Sequence, residues 1–462
     1  MNMSLAFLGG AGTVTGSSYL LRVNGSKYLI DCGLFQGSRK LRELNWSDFP
    51  IPPEEIDGVF LTHAHIDHIG LLPRLVQQGL RAPLYATEAT CALIRLSLPD
   101  SAHLQEQDAE WANKKGYSRH KPALPLYSAK DAQGAIELLA PVSFSERLSL
   151  PQLDVTWRPA GHLLGSAILE IDARTQKGSS RMVFSGDLGR YDSAFMKPPT
   201  AIQEANILLV ESTYGNRRHS EQSIEDRLAQ ELDYILQQDG VLLIPAFAIG
   251  RAQQILYHLR QLQDQQRIGD IPVFIDSPMA VDASHIYCDY GDDHNLDVNL
   301  LMDERSCPLR CHRTHFVRDV AESKALNTMP GPAIIISASG MLTGGRILHH
   351  LKWRLPHEKN VVLFVGYQAE GTRGRNLLEG AQSIRIHGEE FPVRARVAQV
   401  QALSGHADQD ELLRWLSGFT QAPAHTFITH GETEASQGLQ EQISQTLAWH
   451  TRIPARGDVF EF

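Results

Sequence analysis

His63-Ala64-His65-Ile66-Asp67-His68 is the stretch on which the reading of this chain turns. It follows Asp57-Gly58-Val59-Phe60-Leu61-Thr62, whose apolar and β-branched residues predict a strand. Residues two apart at the end of an extended strand point the same way, so His63 and His65 can share one metal. The turn that follows can aim Asp67 and His68 at a second metal beside it. Imidazole nitrogen and carboxylate oxygen suit Zn²⁺, and open coordination positions leave room for a water nucleophile. Four ligand-type side chains in six residues at a strand mouth argue against a histidine-rich solvated loop.

A closed two-metal site needs further ligands. Three candidates sit at turns after apolar runs: His162 in Pro159-Ala160-Gly161-His162, Asp187 in Phe184-Ser185-Gly186-Asp187, and His430 in Ile428-Thr429-His430-Gly431-Glu432. Loops beside glycine or at strand ends hold functional groups against a rigid scaffold. Taken singly, each is more often a solvated loop residue or a cap.

Working outward, Ser18–Val23 and Lys27–Cys32 flank Asn24-Gly25, a strong hairpin signal. Ile69 to Gln78 has helical spacing and stops at Gly79, and a polar helical region follows at about 87–115. Strands return at Val155–Pro159, Ala167–Asp172 and Arg181–Ser185. After Glu211 the pattern changes. Helices at 223–238 and 251–263 alternate with strands at 241–244, 273–275, 333–336 and 361–365, which predicts a parallel sheet with crossovers. Near Val397 strand-turn-helix units with more histidines resume. The pattern is one β-rich domain in two pieces with an α/β domain inserted between them.

The 462 residues are 42 % hydrophobic and 21 % charged, an ordinary globular composition. No apolar run is long enough for a membrane span and no signal peptide is evident, so a cytoplasmic protein without a membrane partner is expected. Five scattered cysteines suit a reducing compartment better than a disulfide framework. The net charge of −10 speaks against a broad polyanion-binding surface, although acidic metal ligands lower that sum while a loaded site is locally positive.

The H-x-H-x-D-H run with Asp31, His162 and Asp187 around it resembles the ordered motifs of the metallo-β-lactamase superfamily. Glu211-Ser212-Thr213-Tyr214-Gly215-Asn216-Arg217, Leu403-Ser404-Gly405-His406-Ala407-Asp408 and Thr429-His430-Gly431-Glu432 resemble the further motifs of its β-CASP branch. The resemblance extends over nearly the whole chain. It implies an α/β fold, the αββα metallo-β-lactamase sandwich with an inserted β-CASP α/β domain, divided at 1–213, 214–394 and 395–462. It also implies two Zn²⁺ per chain, one held by His63, His65 and His162, the other by Asp67, His68 and His430, with Asp187 bridging. Asp31 would orient ligand imidazoles from behind. His406, Glu211 and Asp67 are the expected catalytic groups, with His406 protonating the leaving oxygen and Glu211 orienting it.

Ser339 and Gly340 in Ser337-Ala338-Ser339-Gly340-Met341, and Arg373 and Arg375 in Gly371-Thr372-Arg373-Gly374-Arg375, resemble β-CASP segments that meet substrate phosphates. Small residues let backbone N–H groups approach phosphate, and arginine adds bidentate contacts. Histidine at position 430 resembles the RNA-processing members, such as the nuclease subunit of the pre-mRNA 3′-end cleavage factor and its compact bacterial relatives. The function expected is hydrolysis of single-stranded RNA by a metal-activated hydroxide, with homo-oligomers and RNA-processing partners left open. The alternatives are a DNA nuclease, a small-molecule metallohydrolase and an inactive RNA-binding subunit. Gly9 to Gly16 fails as a dinucleotide fingerprint because its third glycine is displaced and a strand follows. Cys307, Cys311, His312 and His315 lack the paired spacing of a zinc finger.

Overall fold

Asn24 and Gly25 both take left-handed φ, 50° and 95°. This is the hairpin turn that matches strand twist, and Val23 pairs with Ser26 across it. The computed structural model describes residues 3–116, 118, 120–175, 178–219, 223–301, 307–400 and 403–462. It divides into two units, Met1–Arg218 with His406–Phe462, and His219–Gly405. Among the described residues no helix is long and apolar enough to cross a membrane.

The discontinuous unit holds two seven-stranded sheets. One contains the hairpin strands Ser18–Val23 and Ser26–Ile30, flanked by Met3–Gly9 and Gly58–Phe60. The other runs through Leu153–Pro159, Ala167–Thr175, Gly178–Phe184, Ile207–Glu211 and His425–Thr429. Leu5, Phe7, Leu21, Trp157, Leu169, Phe184 and Phe427 fill the space between them. Successive side chains of a strand face opposite ways. Val183, Leu208, Val210 and Ile428 therefore leave that core for another, shared with Leu412, Trp415, Leu439 and Ile443 of helices Gln409–Leu416 and Thr433–Leu447. Helix Glu88–Lys115 covers strands Leu84–Thr87 and Leu139–Val142 of the first sheet and packs on helix Ala129–Glu137. The layers are helix, sheet, sheet, helix, the αββα order expected.

The second unit is built on a six-stranded parallel sheet in the order Thr314–Phe316, Val273–Ile275, Ala333–Ser337, Val241–Pro245, Val361–Phe364, Arg396–Gln399. Strands Val241–Pro245, Ala333–Ser337 and Val361–Phe364 are buried on both faces, which is why they read as continuous apolar runs rather than alternating ones; the edge strands Thr314–Phe316 and Arg396–Gln399 are partly exposed. Leu242, Ile244, Ile334 and Leu363 face the helices Ile224–Gln238 and Arg251–Asp264. Val241, Leu243, Ile335 and Phe364 face Ile347–Arg354 and Arg373–Leu378.

One expected element is corrected. The helix read over Ile69 to Gln78 is two short ones, Ile66–Ile69 and Leu72–Gln77. Pro73 lies in the first turn of the second, the place a residue without an N–H tolerates, so the chain restarts there rather than continuing.

Candidate metal centre

Most groups in the centre come from the end of a strand or the turn just beyond it, within the discontinuous unit; Asp67 and His68 lie on a short helix, and His406 just before helix Gln409–Leu416. Strand Gly58–Phe60 delivers His63, and the short helix Ile66–Ile69 turns Asp67 and His68 back beside it. The turn carrying His162 is fastened from two sides. Ser166 Oγ accepts the backbone N–H groups of His162 and Leu163, both at 3.0 Å. Thr87 and Thr90, at the start of helix Glu88–Lys115, donate to the Gly165 carbonyl at 2.7 and 2.9 Å. Gly165 must be glycine: its φ is +73°, and a Cβ there would lie 2.6 Å from the Thr90 nitrogen. Parallel strands Ile207–Glu211 and His425–Thr429 bring Glu211 opposite Thr429, which places His430 next to it.

The ligand-type atoms fall into two groups. In the first, His65 Nδ1 lies 3.1 Å from His63 Nε2 and 3.2 Å from His162 Nε2. Asp187 Oδ2 is 3.4 Å from His63 Nε2 and 3.6 Å from His162 Nε2. In the second, His68 Nε2 is 3.1 Å from His430 Nε2, and Asp67 Oδ2 is 3.5 Å from His430 Nε2. The other Asp187 oxygen, Oδ1, lies 3.3 Å from His68 Nε2, so one carboxylate faces both groups. A tetrahedral zinc with bonds of about 2.0–2.1 Å has ligand atoms about 3.3 Å apart. Those spacings fit it. The residues of each group have atoms close enough to hold one ion.

The charges agree with the geometry. Burial, the largest influence, drives His63 well below the ordinary histidine range and lowers His65 to about 4, so both present unprotonated nitrogens, as a cation requires. For Asp187 burial, again the largest influence, favours the neutral acid, yet His430, His68 and His63 outweigh it and hold the carboxyl well below the usual range. His68 would also be lowered by burial, but Asp187 and Asp31 push it well above the usual value. The point between those carboxylates favours positive charge.

Behind the ligand atoms lies a layer of orienting groups. Asp31 Oδ2 sits 2.8 Å from His68 Nδ1, and its two oxygens accept from the Thr62 N–H and hydroxyl, both at 2.8 Å. Asp31 is held in the left-handed region, φ 55°. Glu211 is buried, accepts from the Leu188 N–H at 2.7 Å and the Thr213 N–H at 3.2 Å, and has both oxygens 3.2 Å from His406 Nδ1. Burial, the largest influence, would lower His406, but Glu211 first, with Asp187 and Asp67, outweighs it and the net shift is upward.

All of the residues expected as metal ligands, together with Asp31, Glu211 and His406, are thus brought into one neighbourhood. Ser339, Gly340, Arg373 and Arg375 lie in the other unit, on two segments that touch. Arg373 Nη1 donates to the Leu342 carbonyl at 3.0 Å, and the Gly374 N–H to Met341 O at 3.3 Å, which ties helix Arg373–Leu378 to the turn after Ser339. Ser339 Oγ is engaged within that turn by the Thr343 and Gly344 N–H groups, and Arg375 pairs with Glu379 at 2.6 Å. Two residues escaped the sequence reading. Thr62 and Thr213 direct hydroxyls at the centre, and their only sequence signal is a threonine beside a ligand or acid at a strand end. The loop after strand Met3–Gly9 also meets the centre, since Gly10 O accepts the His430 N–H at 2.6 Å.

A family model described as the metallo-beta-lactamase superfamily matches residues 11–213, and one described as the Beta-Casp domain matches 252–377. A third, the Zn-dependent metallo-hydrolase RNA specificity domain, matches 390–454. The chain is 38 % identical to ribonuclease TTHA0252 of Thermus thermophilus over 96 % of both chains. It is 28 % identical to an RNase J-like protein of Methanocaldococcus jannaschii, covering 98 % of this chain and 99 % of that one. It is also 28 % identical to the transcription termination factor FttA of the same organism, covering 98 % of this chain and 71 % of that protein. A crystal structure of a protein of unknown function from Enterococcus faecalis shares the fold over the full length of both chains, at TM-score 0.52 and 12 % identity.

Proposed function

The chain belongs to the β-CASP branch of the metallo-β-lactamase superfamily, and from that premise we propose how it acts, as a zinc-dependent ribonuclease hydrolysing phosphodiester bonds of single-stranded RNA. The observation that carries the reading is the pair of ligand groups sharing Asp187, with the Glu211–His406 pair beside them. His63, His65 and His162 would hold one Zn²⁺, Asp67, His68 and His430 a second, and Asp187 would reach both. Such ions, when bound, supply Lewis acidity toward phosphoryl oxygens and a nucleophilic water at neutral pH.

The protein's own part is orientation and proton transfer. Asp31 fixes the His68 ring through Nδ1 and leaves Nε2 turned inward. Glu211 holds His406 by Nδ1 and favours its protonated form. His406 is then the acid that gives a proton to the departing 3′-oxygen, so the products carry a 3′-hydroxyl and a 5′-phosphate.

The RNA reading draws on the named ribonuclease and RNase J-like relatives, and on the RNA specificity match, whose span contains both His406 and His430. A single strand is favoured because most of the ligand side chains are buried. An unstacked backbone can turn its phosphate into such a recess, whereas a stiff duplex presents its phosphates on the outside. Ser339, Gly340, Arg373 and Arg375 are the proposed phosphate-contacting residues, supported by the hydrogen bond that ties helix Arg373–Leu378 to the turn after Ser339 and by donors suited to phosphate. The test compares one oligonucleotide sequence made as RNA and as DNA, with β-lactam and thioester substrates alongside. Cleavage of the RNA with 5′-phosphate ends is expected. Faster cleavage of the DNA, or turnover confined to the small molecules, would defeat the reading.

A further inference from the structure

We infer that Thr213 is a positioning residue: its hydroxyl fixes which ring nitrogen of His430 is offered to the second metal. The inference rests on the two-metal reading above. His430 Nε2 is the atom that converges with His68 Nε2 at 3.1 Å and Asp67 Oδ2 at 3.5 Å. A nitrogen that holds a cation carries no proton, so the neutral ring must keep its proton on Nδ1. That N–H needs an acceptor in a place where Thr213, Glu211 and His430 are all buried.

Thr213 Oγ lies 3.1 Å from His430 Nδ1 and 3.2 Å from the His430 carbonyl oxygen. A hydroxyl has one proton and two lone pairs. Donating to the carbonyl uses the proton and leaves a lone pair for Nδ1–H, so both hydrogen bonds are satisfied in one arrangement. The nearest carboxylate alternative, Asp187 Oδ1, is 3.5 Å from Nδ1, beyond a good hydrogen bond. The backbone is set to the same end. His430 is held at φ 49°, and its carbonyl also accepts the Ser212 N–H at 3.3 Å. At the next position a Cβ on Gly431 would come within 2.1 Å of Ser212 Oγ, so the His430-Gly431 turn lies directly on the Ser212-Thr213 turn.

Thr213 therefore serves two parts of the centre. Its hydroxyl serves His430, while its backbone N–H donates to Glu211 Oε2 at 3.2 Å. The backbone contact survives any side-chain substitution, so the two can be separated. Thr213→Val keeps shape and burial but removes the acceptor. Thr213→Ser keeps the acceptor.

The test is a zinc titration against a competing chromophoric chelator, with no RNA present. Thr213→Val is expected to weaken one of two sites by about 10–100-fold, the usual loss when a ligand's outer partner is removed, while the other keeps its affinity. Thr213→Ser is expected to restore both. A purely structural role would weaken both sites together or lower the melting temperature of the metal-free protein. Nitrogen-15 NMR of the zinc-loaded wild type gives a check independent of any variant, and should show the His430 proton on Nδ1. Wild-type affinity at both sites in Thr213→Val, no recovery in Thr213→Ser, or a proton on Nε2 would each overturn the inference. A wild-type protein that takes up only one zinc would instead remove the two-metal reading on which it stands.

Discussion

Asp187 is the residue with most at stake, because its two oxygens face different ligand groups. Replacing it with alanine should lower metal content and turnover together, read by elemental analysis and an RNA cleavage assay. Retention of both metals would refute its bridging role. His406 behaves differently under the proposed mechanism. His406→Ala should keep both metals but lose about 10²–10⁴-fold in turnover, the range for a general acid. Glu211→Gln should lose less, since it removes the charge that favours the imidazolium and keeps the shape. Loss of a metal from His406→Ala would make that residue a ligand. The His63–His68 run was legible from its own spacing, but His162, Asp187 and His430 stood out only as glycine-flanked residues at strand ends until the order of the motifs joined them into one set. The threonines were not legible. Thr213 gains its meaning only from His430, and nothing in the sequence around position 213 points to a partner so distant along the chain.

At the scale of elements, strongly periodic or continuous apolar runs could be read almost to the residue, as with helix Ile224–Gln238 and strand Val273–Ile275. Helix Ala129–Glu137 went unread although Ser128 and Asp131 form a capping box, because its glycine and short length weaken the periodic signal. Helix Pro278–Asp289 was missed in the same way, its start marked only by Ser277 and Pro278. One packed pair of helices carries a pH-dependent contact. Glu225, in the first turn of Ile224–Gln238, lies 2.7 Å from His258 Nδ1 on Arg251–Asp264. That hydrogen bond, as the largest influence, lowers the Glu225 carboxyl from 4.5 to about 2. A depressed carboxylate stabilises the fold above its unfolded value, and that contribution fades as pH falls from about 4.5 toward 2. Glu225→Gln should therefore cost about 1 kcal/mol at pH 6, allowing for partial solvent screening. By pH 3 much of the difference from wild type should be gone. Denaturant titrations at the two pH values check this, and a gap that widens in acid would contradict it.

Across the whole molecule the ligand-type residues all belong to one of the two units, so metal should stabilise them unequally. Ions that bind only the folded form add about 2.7 kcal/mol when present at 100 times their dissociation constant. Chelation should speed hydrogen exchange in strand Ile207–Glu211 and leave Val241–Pro245, in the other unit, as protected as before. Equal loss in both strands would show that the units do not respond separately. The insertion of one unit within the other showed in the sequence as helices alternating with strands after Glu211 and as strand-turn-helix units resuming near Val397. The edge pairing of Val459–Glu461 with Ser4–Ala6 did not, since no local pattern relates strands so far apart. That split also has a consequence in time. A ribosome makes chain from the N-terminus at about 5–20 residues per second. Asp67, His68 and Asp187 exist well before His430, and the whole second unit is made in between. A growing chain can assemble the first ligand group early, but it has neither His406 nor His430 until the whole second unit has been made. With the roles proposed for those residues, the second ligand group and the acid would join the centre only after that unit exists, so activity would follow its synthesis and not precede it.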